Sequence, residues 1–432
     1  MQQSGVPSPL LAAGAILLSV ALLITGNGLQ LMLLPIRGGI EGFSAFEVGL
    51  LGSGYFLGFV LGCVLSPLLI LRAGHVRTFA ALVSIASAAA LGYPLAVDPL
   101  IWVLLRMFTG FCLAGLYLVV ESWLNDQATN ETRGMLISTY VTVNFTVITL
   151  GQMMVTLVQP SSFVLFSIAS VLVSLAAVPI VMTRSSQPAP ITIVRFRPVR
   201  MFRLSPTGTV SIFLIGLATG SFWSLGPTYA NAASGGNVTE AAMFMSAAVL
   251  GGAVVQWPAG KVSDTVDRRH VLIALAAFSV VSGAAIMVLP HATWLWLVLG
   301  FAFGAGLLPS YAIAAAHVFD FADRADYVEI SAGLLLLNGV GSTIGPLITA
   351  LSFTLFGIAG IFVVNGLVQV ALIIFVAVRL VRREGLPEAE KQNFDLGTSA
   401  AVSVVGDEEA IQLSDLVMQE PTEPPPQEQA SG

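Results

Sequence analysis

The sequence predicts an all-α polytopic membrane protein with twelve transmembrane helices in two six-helix, pseudo-symmetric bundles. Hydrophobic residues make up 56% of the chain and charged residues 10%, and the mean hydropathy is +0.88. Apolar runs long enough to cross a bilayer recur from residue 10 to residue 381, and one polar connection divides them into six and six. Such a composition excludes a soluble globular fold.

The predicted spans contain about 20 residues or slightly more, which is the length that crosses a bilayer of ~30 Å hydrocarbon thickness. Most connections are short, so consecutive helices should be antiparallel neighbours. Both cysteines, Cys63 and Cys112, lie inside spans and are predicted to be packing residues, and no cofactor or metal is expected. The spans are 10–34, 46–71, 78–97, 100–124, 134–159, 161–183, 208–230, 239–262, 270–290, 293–318, 329–353 and 357–380.

Basic residues orient the spans. With both termini in the cytoplasm, sixteen of the 18 lysines and arginines fall in inner loops and the tail. Arg37 is then the one basic residue in an outer loop, and Arg106 lies within a span. This one-sided distribution follows the positive-inside rule and predicts a multi-pass inner-membrane protein with both termini cytoplasmic.

Composition also divides the chain into four parts. Residues 1–183 form a first six-helix bundle, 184–207 a proline- and arginine-rich cytoplasmic linker, and 208–381 a second six-helix bundle. Residues 382–432, rich in proline, glutamate and glutamine, are predicted to be a disordered cytoplasmic tail. The net charge of −6 resides largely in this tail and argues against nucleic-acid binding.

An internal repeat supports the division into two bundles. Leu71, after the second span, aligns with Asp264, after the eighth, at an offset of 193 residues. The pair Gly151-Gln152 of the fifth span aligns with Gly345-Pro346 of the eleventh at an offset of 194. A six-helix unit used twice, about an axis along the membrane normal, is a design found in transporters.

Arg106 is the most informative residue of the sequence. It lies within the fourth span, which also carries Glu121 near its other end. The two charges are fifteen residues apart, roughly 22 Å along a helix, so they cannot neutralise each other. A charge inside hydrocarbon costs at least ~2.5 kcal/mol, which predicts a role for Arg106 in substrate binding or coupling. The alternative is a structural arginine bonded to backbone carbonyl groups.

Polar and aromatic residues elsewhere in the spans are the other candidates for substrate or coupling contacts. Asn27, Gln30 and Gln152 are expected at about the depth of Arg106, and no carboxylate is expected there. Amides inside spans also serve as hydrogen-bonding glue between helices, worth ~0.6 kcal/mol on average, and this is the competing interpretation of each one. The full set is Arg106, Asn27, Gln30, Asn144, Gln152, Trp223, Gln256 and Tyr311.

The chain resembles the major facilitator superfamily. Gly260-KVS-Asp264-TV-Asp267-Arg268-Arg269, between the eighth and ninth spans, is similar to its GxxxDxxGRR loop signature. Val119-Val120-Glu121-Ser122, followed by Arg133-Gly134, is similar to a group of uncharacterised bacterial inner-membrane members. The resemblance implies the fold of that family and secondary transport of a small molecule by alternating access. It also implies proton coupling, and it relates Arg106 to the helix-four arginine of the family.

The loop signature implies a gate at the cytoplasmic ends of the helices. Leu71 replaces the expected aspartate in the first-half copy, which predicts that Arg72 or Arg77 pairs with Glu121 or Asp126. The alternative is that these arginines only fix topology. The predicted gate residues are Arg72, Arg77, Glu121, Asp126, Arg133, Gly260, Asp264, Arg268, Arg269, His317 and Asp320.

The favoured function is therefore secondary active transport of a polar or anionic small molecule by a monomer in the lipid bilayer, with protons or the substrate's own gradient as the driving force. Multidrug efflux is the first alternative; Gly341-STI-Gly345-Pro346 resembles an element of drug antiporters, but in a span where close helix packing explains it. A non-transporting sensor or scaffold that uses the tail is the second. Motifs of enzymes such as GxxxxGK[ST] and HExxH do not occur.

Overall fold

Twelve long helices make up the part of the chain that the structure describes. The computed structural model describes residues 13–127, 132–182, 197–323 and 326–382, and the regular structure of these residues is helical throughout. Eleven segments are long and apolar enough to cross a membrane, and the last, Tyr327–Arg382, contains two of the helices. The predicted all-α membrane fold is confirmed.

The helices are numbered in chain order. The first half contains α1 (Gly14–Ile40), α2 (Ala45–Ala73), α3 (His75–Leu95), α4 (Pro99–Gln127), α5 (Arg133–Met153, extended by a 3-10 turn Met154–Thr156) and α6 (Val164–Leu175, continued by Ala177–Met182). A linker helix follows (Pro198–Leu204). The second half contains α7 (Pro206–Ala233), α8 (Val238–Thr265), α9 (Arg268–Val288), α10 (Thr293–Leu307, continued by Ser310–Phe319), α11 (Tyr327–Phe356) and α12 (Gly360–Arg382).

Local sequence explains the tight turns between helices. Ser44 caps α2 by accepting a hydrogen bond from the backbone N–H of Glu47, whose carboxylate accepts one from the backbone N–H of Ser44. Gly74, with φ +81°, reverses the chain between α2 and α3, a backbone conformation that favours glycine. These turns begin α3 at His75, three residues before its predicted start, because the helix continues beyond the apolar run.

Glycine contacts repeat between the two halves. In the first half, α2 and α4 pack so closely that a Cβ at Gly58 would collide with the carbonyl oxygen of Met107, and one at Gly110 with that of Tyr55. In the second half, Gly251 of α8 meets the carbonyl of Phe301, and Gly304 of α10 meets that of Ala248. The two glycine pairs are related by offsets of 193 and 194 residues, the same offsets as in the sequence repeat.

A second pair of contacts repeats at nearly the same offsets, 194 residues for the glycines and 192 for their partners. Gly151 of α5 packs on the carbonyl group of Thr25 in α1, and Gly345 of α11 packs on that of Leu217 in α7. Gly341, one turn earlier in α11, packs on the carbonyl of Phe213. Close helix packing thus accounts for the glycines of the Gly341–Pro346 segment, as predicted.

Three apolar cores show how the halves are joined. We call the end of the bundle that carries the linker helix the linker side, and the other end the far side. The far-side core combines both halves, including Leu33, Val48, Trp102, Phe222, Trp296 and Phe362. Two further cores lie toward the linker side, one built from first-half residues and one from residues 201–376. The halves therefore share one core at the far side and have separate cores at the linker side.

Helix α2 forms the main seam between the halves. Gly49 of α2 lies against Pro346 and Ala350 of α11, and Gly52 lies against Ser224 of α7. Nearer the linker side, Val60 lies against Gly339 of α11. Helix α2 thus supplies the main contacts between the halves, and α5 and α1 of the first half contact α8 and α7 as well.

Candidate functional site

One face of α4 carries both membrane-embedded charges. Arg106, Gly110, Tyr117 and Glu121 follow each other at spacings of four, seven and four residues, which place them on a single helical face. Gly110 is the position at which α2 packs against this face. The α4 face therefore presents a cation toward the far side and a carboxylate toward the linker side, with α2 alongside.

Arg106 is buried, and no described carboxylate pairs with it. Only 5% of its surface is exposed, and its guanidinium carbon lies 4.4 Å from the centroid of the Tyr55 ring. Among the described residues it makes no ion pair, and its buried Nη1 has no hydrogen-bond partner. A cation over an aromatic face gains ~2 kcal/mol when desolvated, which offsets only part of the cost of burying the charge. The described residues therefore leave part of the cost of burying the Arg106 charge uncompensated.

Tyrosines and an amide surround the guanidinium. The Tyr55 phenol interacts with both Arg106 and the side chain of Asn27 from α1. On the other side, Tyr93 of α3 interacts with Arg106 and lies 3.4 Å from the Thr109 hydroxyl, measured between the two oxygens. Four helices thus contribute to the surroundings of Arg106.

Three of the predicted substrate or coupling candidates are buried amides whose side-chain oxygens have no partner among the described residues. Asn27 is 5% exposed, and Gln30 and Gln152 are each 1% exposed. The side-chain oxygen of each has no hydrogen-bond partner in the described parts of the chain. A buried acceptor without a partner costs ~1–3 kcal/mol, so the interhelical hydrogen bonds that these side chains can form leave their oxygens unpaired among the described residues. Asn144 differs, because its Nδ2 donates to the Tyr140 carbonyl oxygen one turn earlier at 3.1 Å.

An aromatic path connects the Arg106 region with Glu121. The rings of Tyr55 and Phe59 are 6.4 Å apart between centroids, and those of Phe59 and Tyr117 are also 6.4 Å apart. Glu121 follows one turn after Tyr117 and accepts a hydrogen bond from the Tyr140 hydroxyl at 3.3 Å. Residues 55, 59 and 63 of α2 share one helical face, which runs along this path.

The second half reaches the path through Tyr311. This α10 residue lies within electrostatic range of Cys63 of α2 and of Glu121 of α4. Of the other second-half predictions, Trp223 is half-buried against the far-side core and Gln256 is buried within α8. The repeat position of Arg106 is Gly300, which packs under the ring of Phe244. The cation at this depth thus has no counterpart at the equivalent position of the second half.

The loop signature forms an ion network within the second half. Arg268 is 1% exposed and donates to both carboxylate oxygens of Asp320, at 2.7 and 3.1 Å. Its Nη1 also donates to Ser263 Oγ at 2.7 Å and to Asp264 at 3.3 Å. Ser263 in turn donates to the carbonyl oxygen of Gly260. The signature residues of α8 and α9 are thereby tied to the end of α10.

Arg269 forms the second centre of this network. Its side chain donates to Asp267, with the shortest distance 2.6 Å, and its Nη1 donates to the Arg379 carbonyl oxygen of α12 at 3.4 Å. Burial raises the pKa of the Asp267 carboxyl, but the hydrogen bonds from Arg269 and the charges of Arg269 and His317 outweigh it. The net pKa of Asp267 is lowered. His317 and Arg269 also line a small cavity with Arg379 at the linker side.

The first-half counterpart of this network differs from the prediction. Arg72 and Arg77 are exposed beside the Gly74 turn, and neither forms an ion pair with a described carboxylate. Glu121 lies on the buried face of α4, where Tyr140 contacts it, and Asp126 is exposed. The predicted pairing is therefore not seen among the described residues. Glu121 is buried while both arginines are exposed; Asp126 is exposed like the arginines but forms no ion pair with them. The side chain of Arg133 lies outside the described residues.

Sequence reasoning missed two groups of residues. The tyrosines 55, 93, 117 and 140 were not predicted, although residues 117 and 121 share one helical face with Arg106. Arg200 of the linker helix was considered only for topology; it pairs with Asp326 at 2.5 Å and with Glu329 of α11 at 3.2 Å. The acidic residues at the start of α11, Asp326 and Glu329, are the sequence signal that could have indicated a contact with the basic linker helix.

Comparisons with known proteins agree with one another. A family model described as Major Facilitator Superfamily matches residues 208–417. An uncharacterised MFS-type transporter of Enterobacter sp. (strain 638) is 29% identical over 349 residues, covering 80% of this chain and 88% of the relative. The uncharacterised MFS-type transporter YcaD of Escherichia fergusonii is 28% identical over 350 residues, with the same coverage.

Solved structures share the fold. The nucleoside transporter NupG, as a D323A mutant, superposes with a TM-score of 0.72 at 13% identity, covering 85% of this chain and 99% of that one. A bacterial homologue of the human lysosomal transporter Spinster, inward-facing and unoccupied, superposes with a TM-score of 0.68 at 16% identity, covering 92% and 98%. At these identities the superpositions establish the architecture of the chain.

Proposed function

Because this chain belongs to the major facilitator superfamily, we propose that it carries a polar or anionic small molecule across the bacterial inner membrane by alternating access. It is a multi-pass membrane transporter and not an enzyme. The class of the substrate, its path through the protein and the orientation of the protein in the membrane are proposed below from the structure.

The burial of Arg106 carries the proposal. A guanidinium that is 95% buried, stacked on Tyr55 and without a described carboxylate partner needs a counter-charge. An anionic group of a substrate supplies that charge through charge-assisted hydrogen bonds, which are about twice as strong as neutral ones. Asn27 of α1, which contacts Tyr55, offers a further bonding group beside it, and Gln30 and Gln152 are expected at about the same depth. This arrangement favours a polar anion over a lipophilic cation, the usual cargo of multidrug efflux.

The path proposed for the substrate follows the α4 face. It begins at Arg106 and Tyr55 and passes Phe59 and Tyr117 toward Glu121 and Tyr140. Tyr311 of the second half borders the same path, as expected for a site between the two halves. Movement of the halves would alter these contacts directly.

The orientation proposed places the linker side in the cytoplasm. In the topology predicted from the sequence, sixteen of the 18 basic residues fall in the inner loops and the tail, in keeping with the positive-inside rule. The halves share an apolar core at the far side and have separate cores at the linker side, which supports an inward-facing conformation. Alternating access would then separate the far-side core and bring the two linker-side surfaces together.

Glu121 is the residue that we propose for proton coupling. It is a buried carboxylate on the proposed path, contacted by Tyr140 and bordered by Tyr311 from the other half. Protonation would remove its charge when the halves approach at the linker side. Arg268 and Asp320, within the second half, would hold the end of α10 rigid during this movement.

A ligand screen by thermal unfolding tests the proposal. Purified wild type, Arg106→Gln and Arg106→Lys are heated with organic anions, neutral sugars and lipophilic cations. A bound ligand at a hundred times its dissociation constant stabilises a protein by about 2.7 kcal/mol. We expect anions to stabilise the wild type, Arg106→Lys to keep part of the effect, and Arg106→Gln to lose it. Arg72→Gln, which removes an exposed arginine, should respond as the wild type does.

Two results would redirect the proposal. Equal stabilisation of the wild type and Arg106→Gln by lipophilic cations, without any response to anions, would make multidrug efflux the better function. A sensor or scaffold would be indicated if no flux is found in proteoliposomes while a chain shortened after Arg382 loses the cellular effect of the protein. Unchanged flux in the shortened chain would exclude an essential role of residues 383–432.

A further inference from the structure

The charge and hydrogen-bonding balance around Arg106 narrows the substrate class. Resting on the transport function proposed above, we infer that the substrate is a monocarboxylate that also carries hydroxyl groups. Its carboxylate would bind Arg106, and its hydroxyl groups would donate hydrogen bonds to Asn27, Gln30 and Gln152. The inference depends on three observations about these four residues.

The first observation concerns charge. Arg106 is one cation without a described carboxylate partner, and its repeat position in the second half is Gly300. Asn27, Tyr55 and Tyr93, which surround it, contribute no formal positive charge at neutral pH. One buried cation neutralises one negative charge. A second carboxylate on the substrate would remain uncompensated in a low-dielectric site, which costs several kcal/mol.

The second observation concerns donors and acceptors. The unpartnered atoms of Asn27, Gln30 and Gln152 are amide oxygens, which accept hydrogen bonds and repel a carboxylate. A hydroxyl group donates to such an oxygen and still accepts from a neighbouring amide N–H. A site built to bond hydroxyl groups discriminates strongly against an analogue without them, because the buried acceptors then stay unpaired.

The third observation concerns position. Asn27 contacts Tyr55, the ring on which Arg106 stacks, and Gln30 lies one turn later on α1. Gln152 follows Gly151, the residue at which α5 packs directly on the α1 backbone beside Thr25 and Leu29. Unpartnered amides also occur on α12, at Asn365 and Gln369, without a buried cation beside them in the described residues. The combination with Arg106 distinguishes the first-half group.

Four matched probes test the inference on the intact wild-type protein. Gluconate is a hydroxylated monoanion, hexanoate a monoanion without hydroxyl groups, glucose neutral and hydroxylated, and glucarate a hydroxylated dianion. Dissociation constants are measured by isothermal titration calorimetry in detergent at fixed ionic strength. We expect gluconate to bind at least ten-fold more tightly than each of the other three.

Variants assign the selectivity to residues. Arg106→Gln should lose the binding of both gluconate and hexanoate. Asn27→Leu and Gln152→Leu should each weaken the binding of gluconate about ten-fold and leave the binding of hexanoate unchanged. Gln369→Leu, a buried amide on α12 that is equally unpartnered, should leave the whole series unchanged. Because the comparison of probes uses the wild type, it stands even where a variant does not fold.

The outcomes separate the inference from the function on which it rests. Arg106-dependent binding of anions, with hexanoate or glucarate equal to gluconate, would overturn the hydroxy-monocarboxylate class and leave anion transport intact. Absence of binding by any anion, in the presence of binding by neutral or cationic compounds, would overturn both.

Discussion

The guanidinium of Arg106 lies over the ring of Tyr55, with 4.4 Å between the guanidinium carbon and the ring centroid. Tyr55 belongs to α2 and Arg106 to α4, and the two helices are held together at this level by Gly110, which packs on the Tyr55 backbone carbonyl. The arginine is thus positioned by an aromatic face, and its Nη1 has no hydrogen-bond partner among the described residues. The contact also places the cation beside α2, the helix that forms the seam with the second half.

Removing the aromatic face should destabilise the protein. In Tyr55→Leu the buried guanidinium loses its aromatic partner, and we expect a loss of ~2 kcal/mol in the free energy of unfolding. Tyr55→Phe keeps the ring and should retain most of that stability, while losing the phenol that contacts Asn27. Thermal unfolding of the three proteins in one detergent measures the difference. Equal losses in the Leu and Phe variants would show that the hydroxyl group, not the ring, supports Arg106.

The Arg268–Asp320 pair should be costly to break from either side. Arg268 is 1% exposed and the Asp320 side chain 3%, so removal of either partner takes the shortest ion pair away from a buried charge. We expect Asp320→Ala to lose ~3–5 kcal/mol of unfolding free energy. The double variant Arg268→Ala with Asp320→Ala should lose less than the sum of the two single variants. Additive losses in this cycle would contradict a direct coupling between the two side chains.

The repeated glycines should be equally intolerant of a side chain in both halves. A Cβ at Gly58 would collide with the Met107 carbonyl oxygen, and one at Gly251 with that of Phe301. Because backbone must move in each case, we expect Gly58→Ala and Gly251→Ala each to lose ~1–3 kcal/mol or more. Gly39→Ala, where nothing lies within 4 Å, is the matched control and should have little effect. A tolerated Gly58→Ala would show that α2 and α4 separate easily at this point.

Sequence alone predicted much of the architecture, because hydropathy, loop charge and the 193–194 residue repeat are local or periodic signals. Arg106 was also predictable, since a charge inside an apolar run is conspicuous by its cost. The residues around Arg106 were not predictable from the sequence. Tyr55 approaches Arg106 only because α2 packs on α4 through glycines, and spacing within one helix does not report which helices are neighbours. The predicted pairing of Arg72 or Arg77 with Glu121 failed to appear for a related reason. Sequence position did not show that Glu121 lies on the buried face of α4.

A disulfide across the seam should lock the conformation described here. The Cβ of Val60 in α2 lies 3.9 Å from the position that a Cβ would occupy at Gly339 of α11, close to the mean Cβ–Cβ distance of ~3.8 Å in disulfides. Replacement of both residues by cysteine also removes the Val60 methyl group that a side chain at residue 339 would meet. In a background with Cys63 and Cys112 replaced by alanine, we expect oxidation to link α2 and α11.

The link should stop transport if the two halves must rock against each other. Proteoliposomes with Val60→Cys and Gly339→Cys should show flux under reducing conditions, lose it on oxidation and regain it on reduction. Each single-cysteine variant, treated with the same oxidant, controls for damage to the protein. A protein that is fully cross-linked, as judged by its mobility in a non-reducing gel, and that still transports would contradict alternating access by separation of α2 from α11. Retained flux would then place the moving elements elsewhere, because the shared seam between the halves would have stayed closed throughout the cycle.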